Sequence, residues 1–146
     1  MLAALVTRAI GRGHGAARSW LTHEGDDERR AAVRQSIGEG AQIWAEQAPV
    51  LRAIVENWRT DPKLTELWLR MMGGFTAATV ERITQDHGGR GADVEVLSAA
   101  LTWLGERLYY LAAIGVPPFD DQERLVDVLT HIWMSTVYGA YRMPGR

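Results

Sequence analysis

The sequence predicts an all-α protein of about six helices wrapped around one core. Apolar residues recur three and four positions apart through most of the chain, the spacing that lays them along one face of a helix. β-branched residues never alternate with polar ones over a useful length, so no strand is indicated. Turn-forming residues gather at Thr22 to Asp27, Ala48-Pro49, Thr60-Asp61-Pro62, Gly88-Gly89-Arg90-Gly91 and Gly115-Val116-Pro117-Pro118. Helices are therefore expected over 2–22, 26–47, 49–59, 62–87, 92–115 and 120–142. A chain of 146 residues suits a single domain, 1–146.

The segment 2–22 carries Gly11-Arg12-Gly13-His14-Gly15. No strand precedes it, so it fits neither phosphate-loop template. It reads as a weakened or kinked helix, since each glycine costs about 1 kcal/mol against alanine there. The break at Ala48-Pro49 separates 26–47 from 49–59. Asp61 followed by Pro62 is a good N-cap and first-turn pair for 62–87. On that helix Trp68 and Phe75 lie seven apart on one face, with Met71, Met72 and Thr79 nearby.

The last two helices differ from the rest. From Leu97 to Ile114 apolar residues occupy nearly every angle around the axis, Thr102, Gly105, Glu106 and Arg107 being the main exceptions. Such a helix needs cover on more than one side. For the final helix, Asp120 with Glu123 three residues later predicts the start. Leu125, Val128, Leu129, Ile132, Trp133, Thr136 and Val137 form a broad apolar face, and Val126, Met134, Tyr138 and Tyr141 begin a second. One face can meet the core while the other meets a second copy of the chain. The competing reading is that both helices are core helices crossed by several neighbours.

Composition excludes several function classes. A net charge of −2 gives no general attraction to phosphate backbones. The absence of cysteine removes disulfides, thiolate metal sites and a cysteine nucleophile, and fits a cytoplasmic protein. The longest apolar run, Leu108 to Val116, is about half the length that spans a bilayer, so no membrane partner is expected. His14, His23, His87 and His131 lack metal-ligand spacing, and neither metal nor cofactor is expected. Asp127, His131 and Ser135 stack along one helix face like a catalytic triad. A nucleophile in mid-helix has its own amide tied up in the helix ladder, and working triads converge from separate elements. The stripe therefore reads as structural, and the chain as no enzyme.

Trp44, Trp68, Phe75, Trp103, Tyr109, Tyr110 and Trp133 come from four helices, with Gly40, Gly73, Gly74 and Gly105 interspersed. Large rings beside missing side chains suggest an apolar pocket with few polar groups. Plain core is the competing reading of such a stripe.

The stretch Asp127 to Gly139, DVLTHIWMSTVYG, together with Glu66-Leu67-Trp68 and Ala100-Leu101-x-x-Leu104-x-Glu106-Arg107, resembles the C-terminal regulatory domain of TetR-family repressors, closest to the EthR-like branch. The resemblance implies an all-α fold, a homodimer through helices 92–115 and 120–142, and a pocket for a lipophilic small-molecule effector. By the same resemblance the pocket residues are Val33, Ser36, Ile37, Gly40 and Trp44, then Trp68, Met72, Phe75 and Thr79. Thr102, Gly105, Glu106, Tyr109, Tyr110 and Trp133 complete the set. Where EthR-like proteins carry amide side chains, this chain has Thr102 and Gly105, which changes the donor pattern. The family's N-terminal helix-turn-helix has no counterpart ahead of 2–22, so the 146 residues alone are expected to make no DNA contact. The alternative function is a stand-alone small-molecule-binding or heterodimerising helical protein.

Overall fold

The computed structural model describes residues 26–87 and 92–139. They form five helices: α1 Asp26–Glu46, α2 Ala48–Asn57, α3 Pro62–His87, α4 Ala92–Ala113 and α5 Gln122–Tyr138. The helix expected over 2–22, with its glycine segment, lies outside the described residues, as does Tyr141.

Local chemistry sets most of the boundaries. α1 and α2 nearly run together, with Gln47 N–H donating to Ile43 O at 2.8 Å and Leu51 N–H to Gln47 O at 3.0 Å. Pro49 falls in the first turn of α2, where its missing N–H leaves no helix bond unmade. Asp61 caps α3 as predicted, its Oδ1 accepting from Lys63 N–H at 3.0 Å and Leu64 N–H at 3.4 Å. α4 ends earlier than 115, in a Schellman motif: Val116 N–H reaches Leu111 O at 2.9 Å and Gly115 N–H reaches Ala112 O at 3.0 Å. Gly115 takes φ +79°, a conformation that side chains with a Cβ disfavour.

The start of α5 is a correction. Asp121, not Asp120, is its N-cap, accepting from Arg124 N–H at 3.2 Å. Bonds from Phe119 N–H to Val116 O and from Asp121 N–H to Pro118 O fold the connection into successive turns, which leave the second aspartate in extended backbone at the helix edge. α5 therefore starts at Gln122 rather than 120 and runs to Tyr138, with Gly139 in extended backbone; the expected stretch 140–142 lies outside the described residues.

Three apolar clusters hold the bundle. The first unites Ile43, Leu51, Ile54, Val55, Trp68, Met71 and Met72. The second, between α1 and α5, contains Ala32, Val33, Ile37, Ala41, Leu125, Val126 and Leu129. The third gathers Ile83, Val94, Leu101 and Val137 where α3, α4 and α5 meet. α4 packs against each of the other four helices. Its all-round apolarity is thus largely explained within one chain, in the manner of a core helix crossed by neighbours. Val96 on α4, Ile114 in the turn that follows it and Val128 on α5 remain exposed. No described helix is long and apolar enough to cross a membrane.

Candidate functional site

The seam between α3 and α4 concentrates the polar groups of the interior. Trp68, in mid-helix on α3 and buried, donates its indole N–H to Glu106 Oε2 at 3.2 Å. Glu106 is itself buried, and its carboxyl is held above the usual carboxylate range because burial penalises the charged form. The Trp68 hydrogen bond and Arg107, 4.0 Å from Oε1, act the other way without cancelling that cost. Further along, Thr76 donates to Met72 O at 2.9 Å and lies 3.3 Å from the Thr102 hydroxyl, which donates to Ser98 O at 2.9 Å. Thr79 donates to Phe75 O at 3.1 Å. These back-bonded hydroxyls keep lone pairs available inside an apolar wall, a surface suited to one or two hydrogen bonds to a largely hydrocarbon molecule.

The predicted site residues fall into groups. Trp68 and Met72 belong to the first cluster, with Trp44, Phe75 and Tyr110 packed on it. Val33 and Ile37 belong to the second, and Trp133 bridges the second and third. Ser36 is half-buried. Tyr110 turns its hydroxyl outward to Glu56 Oε2 at 2.7 Å, with the Arg107 guanidinium 5.1 Å from its ring centre.

Tyr109 crosses from α4 to α1, donating its hydroxyl to Ile37 O at 2.9 Å and stacking on Trp44 with ring centres 6.1 Å apart. Burial pushes its phenol far above the ordinary range. A Cβ at Gly40 would meet the Tyr109 hydroxyl at 2.8 Å, and one at Gly105 would sit 3.8 Å from its ring. The space left by Gly40 is therefore occupied by Tyr109, and Gly73 opens to the surface, so these glycines do not by themselves hollow the interior. An open cleft of about 150 Å³ lies instead among Ala41, Trp44, Tyr109, Ala112, Phe119 and Leu125, sharing only Trp44 and Tyr109 with the predicted set.

Sequence reasoning missed a polar junction at the far ends of α3 and α5. Asp86 Oδ2 accepts from Arg82 Nε at 3.1 Å and from the Tyr138 hydroxyl at 2.7 Å, with Arg29 Nε at 3.7 Å. Arg82 is buried, and Arg29 also lies over the Tyr138 ring at 5.1 Å. The i, i+4 spacing of Arg82 and Asp86 was the available signal. Of the triad-like stripe, Asp127 pairs instead with Arg34 across α1 and α5, while His131 and Ser135 are exposed.

An all-α bundle whose apolar interior carries a few paired polar groups belongs here to a class of transcriptional-regulator domains: residues 33–139 match the family model described as transcriptional regulator EthR, C-terminal domain, and the chain belongs to that family. It is thus a TetR-type, EthR-like domain, from a family of regulators and not of enzymes. The chain is 26% identical over 147 residues to the HTH-type transcriptional regulator EthR of Mycobacterium tuberculosis, covering 97% of this chain and 68% of that protein. It is 29% identical over 113 residues to the protein of the same description from Mycolicibacterium smegmatis, covering 74% of this chain and 52% of that protein.

Proposed function

We propose that residues 1–146 form the effector-binding and dimerisation domain of a cytoplasmic EthR-like repressor that senses a lipophilic small molecule. The observation that carries this reading is the family match over 33–139, which covers α2 to α5 and most of α1, the helices whose wall combines Trp68, Met72 and Phe75 with Glu106 and the threonine hydroxyls. The ligand would enter between α1, α3, α4 and α5, displacing packed rings, and its single polar group would exchange bonds with Thr102 or Glu106. Effector binding would favour one orientation of the segment ahead of α1. The exposed Val96 on α4, Ile114 just beyond it and Val128 on α5 support a dimer face along these two helices.

Thermal-shift screening with lipophilic amides and esters tests the first part. A ligand that binds only the folded state raises the melting temperature, by about 2.7 kcal/mol of stability at a hundredfold excess over Kd. Phe75→Ala or Trp133→Ala is expected to abolish the shift, and a screen in which no such compound shifts wild type would count against the reading. Light scattering is expected to show a dimer that Val128→Arg weakens; a wild-type monomer at micromolar concentration would remove the dimer.

A further inference from the structure

We propose that the cleft between the C-terminal ends of α1 and α4 is a binding site for a small organic cation of the alkylammonium class, sharing Trp44 and Tyr109 with the expected effector pocket and otherwise lined by different residues. Three rings line it, Trp44, Tyr109 and Phe119, and its floor is made of small or buried residues, Ala41, Ala112, Ala113 and Leu125. A space of about 150 Å³ admits a body of about six heavy atoms. Aromatic walls of this kind hold alkylammonium groups through the negative faces of their rings.

The electrostatics select the same sign. The cleft meets the last turns of two helices, Ala45 of α1 and Ala113 of α4; several of their terminal carbonyls accept bonds from the turns that follow, and the helix dipole still leaves weak negative charge at these ends. Neither last turn contains a basic residue to offset it. Glu46 closes α1, and Asp120 lines the cleft with a carboxylate that makes no hydrogen bond or ion pair among the described residues. The opposing positive end of α5 is already offset, by the Asp121 cap and by Glu123 in the first turn. Gln122 lines the cleft and bonds Gln42 at 3.4 Å, tying α1 to α5 at its edge. A neutral apolar guest would gain from the rings alone, whereas a cation gains from rings, helix ends and Asp120 together.

Choline and 3,3-dimethyl-1-butanol share a shape and differ in charge, so they separate these terms. Titration of the 146-residue chain by two-dimensional amide NMR, at constant ionic strength held with sodium chloride, is expected to show saturable choline shifts confined to α1, α4 and the connection before α5. The neutral isostere is expected to bind at least tenfold more weakly. Asp120→Asn, at an exposed position that should leave folding intact, is expected to weaken choline about three- to tenfold without changing the isostere. Phe119→Leu, which keeps the site apolar while removing a ring, is expected to weaken choline further. Equal affinity for the two probes, no saturable choline binding, or wild-type affinity in Asp120→Asn would each overturn the proposal. Because lipophilic amides are absent from this titration, it passes or fails independently of the effector reading.

Discussion

Two carboxylates at opposite ends of the bundle show how differently the same group is used. Asp86, at the junction of α1, α3 and α5, is gripped by Arg82, Tyr138 and Arg29, and its side chain is only 11% exposed. Asp120, beside the cleft at the ends of α1 and α4, faces solvent and has no such partners among the described residues. A buried charge is tolerable when it is surrounded by donors, and it then makes its surroundings rigid. An exposed carboxylate contributes little to folding and stays available to bind. The junction is therefore expected to govern stability, and the cleft recognition.

The sharpest way to break this contrast is Asp86→Ala, which removes the carboxylate that the buried Arg82 bonds at 3.1 Å. A loss of about 3–5 kcal/mol is expected in urea unfolding, and a loss below 1 kcal/mol would show that the junction is not structural. Gly40→Ala places a methyl group against the Tyr109 hydroxyl, and about 1–3 kcal/mol should be lost as the ring is displaced. Tyr138→Phe removes one donor to Asp86 and keeps the ring under Arg29, with an expected cost of about 1–2 kcal/mol.

Glu106 is intermediate, buried but with few partners, and its effect depends on pH. Its folded-state pKa is raised, so its stabilising contribution is complete below the ordinary carboxylate value and is lost as pH rises through the raised one. Glu106→Gln can still accept from Trp68, and it is expected to flatten the stability profile across that interval and to melt above wild type at neutral pH. A steeper profile in the variant would contradict the assignment. Smallest of all, Asp120→Asn should change stability by no more than about 0.5 kcal/mol.

Much of the helical framework can be read directly from the chain. Asp61-Pro62 marks a start through chemistry that acts within three residues, and Gly115 marks an end in the same way. Asp120 and Asp121 are harder to tell apart, because both can cap and only the turns formed by Phe119 and Asp121 decide which one stands at the helix edge. The family could be read from the residues of the final helix, which lies inside the range 33–139 that the family model matches.

Tertiary pairings were out of reach. Gly40 suggests vacant space, and nothing near it in sequence shows that Tyr109 fills that space from another helix. Arg82 and Asp86 form a visible pair on one helix, but Tyr138 and Arg29 join them only once α1 and α5 are packed. The all-round apolarity of α4 admits either a partner chain or four neighbours, and the four neighbours are seen only in the fold.

Trp58 and Trp103 place α2 and α4 in contact through indole rings whose centres are 5.8 Å apart, tilted by 37°. Two chromophores at that separation couple their electronic transitions, so the pair should leave a signature in circular dichroism that neither ring gives alone. Trp58→Phe would erase it while leaving four tryptophans and Trp103 to report on the rest. The molecule thereby carries its own optical gauge for the docking of α2, readable without a dye or label.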